Sequence, residues 1–161
     1  MSYRPLRTPR RLPERGQALA EFALIFPILM LMLMGVVDLG RGIYAYNAVS
    51  NAAREGGRTA IVNQNQQEIR DRAAAQATAL GIPASCNGGA SPGICVNFVF
   101  ADLTTDCSAT LAPGCVAVVT VKYTFNAITP IIGNLIGPVP LTSTTKQVIE
   151  SVCTSSGCPI P

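Results

Sequence analysis

Residues 22–37 form a run of sixteen side chains without a charge, and this run limits the possible folds more than any other feature. Together with residues 17–21 it makes a segment of twenty-one residues, which would be roughly 31 Å long as an α-helix. That length is enough to cross the hydrocarbon core of a bilayer. We therefore predict a membrane-spanning helix over residues 17–37 (the membrane segment).

The charges are distributed unevenly around the membrane segment. Residues 1–16 contain five arginines and one glutamate, and the remainder is close to neutral. Because basic residues beside a membrane helix favour the cytoplasmic side, we expect a cytoplasmic N-terminus and an extracytoplasmic C-terminal domain. A nearly neutral body argues against nucleic-acid binding. The chain also has no histidine and no phosphate-binding or nucleophile motif, so the sequence indicates neither an enzyme nor a cofactor.

One carboxylate, that of Glu21, lies inside the apolar segment. A charged side chain at the centre of a bilayer costs ~2.5–3.5 kcal/mol, so this position needs an explanation. A plain anchor does not explain it, and a secretory signal peptide would need a small-residue cleavage site after the apolar run. A prepilin-type signal is cut after a glycine and has glutamate as the fifth mature residue. Cleavage after Gly16 would make Gln17 the first residue and Glu21 the fifth, followed by Phe22.

We predict that Glu21 is an assembly contact. The new α-amine of Gln17 on one subunit can pair with Glu21 of its neighbour, and an ion pair in low dielectric would fix the offset between the two helices. The alternative is a hydrated Glu21 at the membrane edge without such a partner. Pro27 is predicted to bend the helix, because proline removes a hydrogen bond and clashes with the preceding turn; a tolerated kink without a role is its alternative.

Six cysteines all lie in the second half of the chain. An even number beyond a membrane segment indicates disulfides in an oxidising compartment. Zinc is disfavoured because no histidine and no C-x2-C pair is present, so no metal is expected. Six cysteines allow fifteen connectivities, and the simplest joins sequence neighbours: Cys86–Cys95, Cys107–Cys115 and Cys153–Cys158.

The first helix is expected to leave the membrane and to end near residue 60. Gly56 and Gly57 are interpreted as its C-terminal stop, with Arg54 and Arg58 beside the negative helix end. An ion pair between residues 38 and 41 is expected on one face. Apolar residues at helical spacing predict an amphipathic stripe along this part of the helix: Leu39, Ile43, Tyr46, Val49 or Ser50, and Ala53.

The rest of the chain predicts a small mixed domain. A second helix is expected over residues 66–80, and strands are expected over 94–101, 116–125 and 141–152. Residues 126–140 form an unusually apolar loop that either packs over the sheet or is a contact surface. The fold class is therefore α+β and pilin-like, with a long N-terminal helix, a second helix and a small antiparallel sheet. The chain divides into a leader (1–16), an extended helix (17–60) and a domain (61–161).

Three blocks of the chain, residues 16–27, 35–41 and 52–60, resemble the TadE-like family of pilin-like minor components of bacterial tight-adherence (Tad/Flp) pilus systems. The resemblance implies processing by a prepilin peptidase. It also implies contact with other pilin-like subunits and the Tad secretion apparatus, in the cytoplasmic membrane or at the cell surface. It implies a homo- or hetero-oligomer for surface attachment and no catalysis. The alternative is an uncleaved single-pass protein whose disulfide-bonded domain is a binding module.

Overall fold

The computed structural model describes residues 15–86 and 92–154. Three strands form one antiparallel sheet in the order β1–β2–β3. This architecture confirms the α+β class and its long N-terminal helix. The elements in chain order are α1 (Arg15–Val62), α2 (Gln66–Gln76), a 3₁₀ turn (Thr78–Leu80), β1 (Gly93–Val99), β2 (Val116–Phe125), α3 (Pro130–Ile136) and β3 (Val139–Val148).

Helix α1 is a single helix of 48 residues that continues through Gly56 and Gly57 to Val62. The prediction that these two glycines end the helix is wrong. A Cβ added to Gly56 would lie 2.9 Å from Val119 Cγ1, and one added to Gly57 would lie 2.7 Å from Thr145 Cγ2. The glycines therefore remove side chains where the helix lies closest to the sheet.

The core lies between one face of the sheet and the C-terminal half of α1, with α2 beside it. Alternate side chains of β1 and β2 point into this layer, as the two-residue period of a strand requires. Helix α1 contributes mostly alanines, which allow the close approach. The main core side chains are Val49, Ala52, Ala53, Ile69, Ala73, Ile94, Val96, Phe98, Ala117, Val119 and Val121.

The residues of the predicted amphipathic stripe on α1 do not share one environment. Val49 and Ala53 are buried, whereas Leu39, Ile43 and Tyr46 are 65%, 54% and 61% exposed. The buried face is the one rich in small residues, because the sheet lies too close to α1 to accommodate large side chains there. The larger apolar residues near the membrane segment consequently face outward.

The second half differs from the expected boundaries in three places. Helix α2 ends at Gln76, and the 3₁₀ turn after it ends at Gly81, which has a φ of 61°. Strand β2 matches its prediction, whereas β1 ends two residues before 101 and β3 runs from Val139 to Val148 rather than over 141–152. The loop predicted over 126–140 contains the short helix α3, with proline at its first position, where no amide donor is needed.

The segment of chain that follows β3 leaves the sheet because it binds the end of α1. Gln64 is 3% exposed and is the second residue after α1. Its backbone N–H donates to Cys153 O at 2.8 Å, its Nε2 donates to Ser151 O at 2.9 Å, and its Oε1 accepts from the Cys153 amide at 2.6 Å. This one side chain therefore replaces a strand partner for residues 151–153.

Candidate functional site

The residues predicted for processing lie together in the first turns of α1. A Cβ added to Gly16 would meet nothing within 4 Å, so the backbone there is open to a protein that approaches it. Gln17 Nε2 donates a hydrogen bond to Glu21 Oε1 at 3.3 Å, across one helical turn. Phe22 follows and is 62% exposed. The helical spacing thus places the Gln17 and Glu21 side chains on one exposed face.

The membrane segment exposes nearly all of its large apolar side chains. Leu24, Met32 and Val36 are 72%, 76% and 66% exposed, and the described residues offer them no core to pack against. By length and composition, α1 qualifies as a helix that can cross a membrane. Such an exposed apolar surface marks a membrane or a protein interface, and α1 is therefore a candidate membrane anchor.

Pro27 lies inside α1, and the helix is continuous on both sides of it. The missing amide leaves the Ala23 carbonyl without its usual helical donor. Just before the proline, the rings of Phe22 and Phe26 contact each other at a centroid distance of 5.4 Å with their planes inclined by 34°. The bend at Pro27 stays a prediction.

Asp38, the first charged residue after the membrane segment, connects α1 to the chain between β2 and β3. Its Oδ1 accepts from the Ile128 amide at 3.0 Å and its Oδ2 accepts from the Thr129 amide at 2.9 Å. Arg41 also donates to Oδ1 at 3.1 Å, so the ion pair expected between residues 38 and 41 is present. Asp38 is only 6% exposed. The contact of Asp38 with the Ile128 and Thr129 amides was not predicted. The one sequence signal for it was the position of Asp38, a carboxylate at the end of an apolar run.

These donors stabilise the charged form of Asp38. The Thr129 side chain, the Ile128 and Thr129 amides and then Arg41 lower the pKa of the Asp38 carboxyl to about 2 against the raising effect of burial. The Thr129 hydroxyl is buried and has no hydrogen bond of regular geometry among the described residues, so the two amides are the donors with clear geometry. The carboxylate therefore stays ionised at any physiological pH.

Arg41 extends the same contact to the end of β2. Its guanidinium lies 5.6 Å from the centroid of the Phe125 ring, within the range of a cation–π interaction. Phe125 in turn lies against α1, since a Cβ added to Gly42 would be 3.7 Å from its Cζ. Three kinds of contact therefore hold the part of α1 just outside the membrane segment. They are the Asp38–Arg41 ion pair, the hydrogen bonds from the Ile128 and Thr129 amides, and the contact of Arg41 with the Phe125 ring.

The structure contains two disulfides, Cys86–Cys95 and Cys107–Cys115, which are two of the three local pairs proposed from spacing. The third, Cys153–Cys158, includes a residue outside the described part of the chain. Within residues 15–86 and 92–154, no cluster of three histidine, cysteine or acidic side chains could hold a metal ion.

Comparison with known proteins agrees with this picture. No curated protein and no solved structure matches the chain. A family model described as TadE-like protein matches residues 16–58, which confirms the resemblance over the segment that holds Gly16, Glu21 and Asp38. Over residues 16–58 the chain is thus similar to the TadE-like family.

Proposed function

We propose that this protein is a TadE-like minor pilin or pseudopilin that takes part in assembling a tight-adherence pilus for surface attachment. The observation that carries the proposal is the pairing of Gln17 with Glu21 at the start of the otherwise uncharged, exposed membrane segment. An anchor needs no carboxylate there. A subunit that must align with its neighbours does need a polar group there, because a buried polar contact selects one register between the packed helices.

Processing is the first step of this function. A prepilin peptidase would remove residues 1–16 on the cytoplasmic side and leave the membrane segment on the mature chain. Gly16 suits such cleavage because no side chain of the described chain covers it. Once the leader is removed, Gln17 carries a free α-amine one turn from Glu21. The mature subunit then has a hydrogen-bond acceptor, the Glu21 carboxylate, and a charged donor, the Gln17 α-amine, at its N-terminal end.

Assembly is the second step. In one subunit, Glu21 has the weakly placed Gln17 amide as its partner, at 3.3 Å, and the carboxylate remains exposed. A neighbouring subunit can supply its α-amine as a charged donor, and charge-assisted hydrogen bonds are roughly twice as strong as neutral ones. A charged group inside a membrane is costly without a partner, so the membrane favours pairing of the α-amine with the Glu21 carboxylate.

The mass of the mature N-terminus tests the processing step. The full chain, expressed with its Tad gene cluster, should begin at Gln17, and the mass also reports whether the α-amine is free. Gly16→Val should abolish cleavage. Gly40→Ala is the matched control, since Gly40 also has no neighbour within 4 Å of an added Cβ, and it should be processed normally. An intact leader in the wild type would contradict the proposal and favour an uncleaved binding module.

Glu21→Ala and Glu21→Gln test the assembly step. Both variants should still resist carbonate extraction from membranes, since the apolar run is unchanged. Both should lose cross-linking to pilus components and surface attachment, and Glu21→Gln separates loss of charge from loss of size. Wild-type assembly with Glu21→Gln would exclude an ionic contact, and wild-type assembly with Glu21→Ala would exclude any contact.

A further inference from the structure

The chain between β2 and β3 is apolar, and three of its large side chains are exposed. From residue 123 to residue 145 there is no charged side chain, and the middle of this stretch is the β2–β3 connection (residues 126–138). Ile128, Leu135 and Ile136 in this connection are 66%, 84% and 63% exposed. Soluble domains rarely present such a cluster to water, so the connection needs an apolar partner.

Asp38 fixes the depth of this connection relative to the membrane segment. The Ile128 and Thr129 amides bind Asp38, which is the residue directly after Val37, about 1.5 Å further along the helix. Gly42, against which Phe125 packs, is about 7.5 Å beyond Val37 by the same rise. The headgroup layer on each side of a bilayer is roughly 5–7 Å thick. The connection is therefore held at the level of the membrane surface.

A groove of about 570 Å³ lies between the connection and α1. Its helix wall is the exposed side of α1 that continues from the membrane segment, and its other wall comes from the connection and the start of β3. Almost every lining side chain is apolar. The main residues are Leu39, Ile43, Tyr46, Ile136, Val139 and Leu141.

We propose that the β2–β3 connection is a second membrane contact, which inserts Ile128, Leu135 and Ile136 into the extracytoplasmic interface of the bilayer at the membrane end of the groove. The inference rests on the proposed insertion of residues 17–37. Short apolar elements that lie in the interface reach about 5–10 Å into the headgroup and acyl boundary. This contact would keep the domain upright on the membrane before assembly.

The charges around the connection favour a bilayer over a second protein subunit. Asp38 is already neutralised by two amides and Arg41, so no uncompensated carboxylate enters the interface. The uncharged stretch is bounded by Lys122 and Lys146. If residues 17–37 span the bilayer, the contact with Asp38 places the connection at the level of the headgroups, so lipid is the partner available at this level.

Tryptophan fluorescence gives a direct test because the chain contains no tryptophan. Leu135→Trp, in the full-length protein reconstituted into phosphatidylethanolamine and phosphatidylglycerol vesicles, should emit at a blue-shifted wavelength. Lipids brominated near the headgroup end of the acyl chain should quench it several-fold more than they quench Val148→Trp. Val148 is a matched control, since it is 55% exposed and ends β3, roughly 30 Å from Val139 at the usual strand rise.

Leu24→Trp in the membrane segment separates this inference from the proposed function. If Leu24→Trp is quenched by deeply brominated lipids and Leu135→Trp is not, the segment spans the bilayer and the second contact is wrong. If neither is quenched, both the membrane insertion and the second contact are wrong. A blue shift of Leu135→Trp that resists bromine but grows with the protein-to-lipid ratio would assign the surface to a second copy and overturn the proposal.

Discussion

Gly56 of α1 lies so close to Val119 of β2 that a Cβ on the glycine would be 2.9 Å from the valine Cγ1. Val119 is fully buried, and its stiff side chain has little freedom to move away. The same added Cβ would lie 3.2 Å from Ala73 Cβ on α2. At this point three elements meet with no room for a methyl group, and the extended helix is joined rigidly to the domain.

Gly56→Ala should therefore destabilise the domain. Overpacking costs ~1–3 kcal/mol and exceeds the ~0.5–1 kcal/mol that alanine contributes in a helix, for a net loss of about 1 kcal/mol. Gly40→Ala is the control, because the space around Gly40 is open, and it should be neutral or slightly stabilising. Urea unfolding of the detergent-solubilised full chain, followed by circular dichroism, measures both. Equal stability of the two variants would refute the tight contact.

Asp38→Asn should release the β2–β3 connection from α1. Asparagine has only one acceptor oxygen in its side chain. Its side-chain NH2 group would therefore face one of the N–H donors that now bind the carboxylate. Hydrogen exchange at the Ile128 and Thr129 amides should accelerate. Asp71→Asn is the control, since Asp71 is exposed and accepts only from Gln67 among the described contacts, and it should leave these amides protected.

The contact of Asp38 should also depend on pH at the acid end. Its pKa is lowered from 3.8 to about 2 in the folded protein, so the stabilisation is complete above the unfolded value. It is lost as the pH falls from about 4 towards 2, because the unfolded state takes up the proton first. In the wild type, protection of the Ile128 and Thr129 amides should fall in this range. In Asp38→Asn this dependence should be absent.

Gln64→Ala should detach the chain that follows β3. The substitution leaves the Cys153 amide without its 2.6 Å acceptor and Ser151 O without its donor, and an unsatisfied buried group costs ~1–3 kcal/mol. Gln67→Ala is the control, because Gln67 is exposed and its side chain donates only to Asp71 among the described contacts. It should change the unfolding free energy by less than about 0.5 kcal/mol.

The parts of the fold that could be predicted from sequence have local signals. The uncharged run predicted α1, and β-branched residues predicted β2 with its observed boundaries. The 38–41 ion pair was also predictable from helical spacing.

Other features depend on residues that are distant in sequence but pack against them in the fold. Gly56 and Gly57 look like a helix stop in sequence and act as a close contact only because Val119 and Thr145 lie against them. For the same reason the spacing of Leu39 and Ile43 does not indicate which face of α1 the sheet covers, and the sheet packs on the alanine face. In the candidate site, the chain pattern indicated Gly16 and Glu21, but the two backbone amides that bind Asp38 are 90 and 91 residues away in sequence.

The two disulfides should differ in their resistance to reduction. Cys86 is exposed and Cys95 half-buried, whereas Cys107 and Cys115 are buried in the core cluster. Because exchange requires a thiolate to reach the sulfur, graded dithiothreitol should open Cys86–Cys95 first, as measured by alkylation and peptide mass mapping. Opening of Cys107–Cys115 should coincide with unfolding, and its double alanine variant should lose ~2–4 kcal/mol. Simultaneous opening of both bonds in the folded protein would contradict the burial of the second.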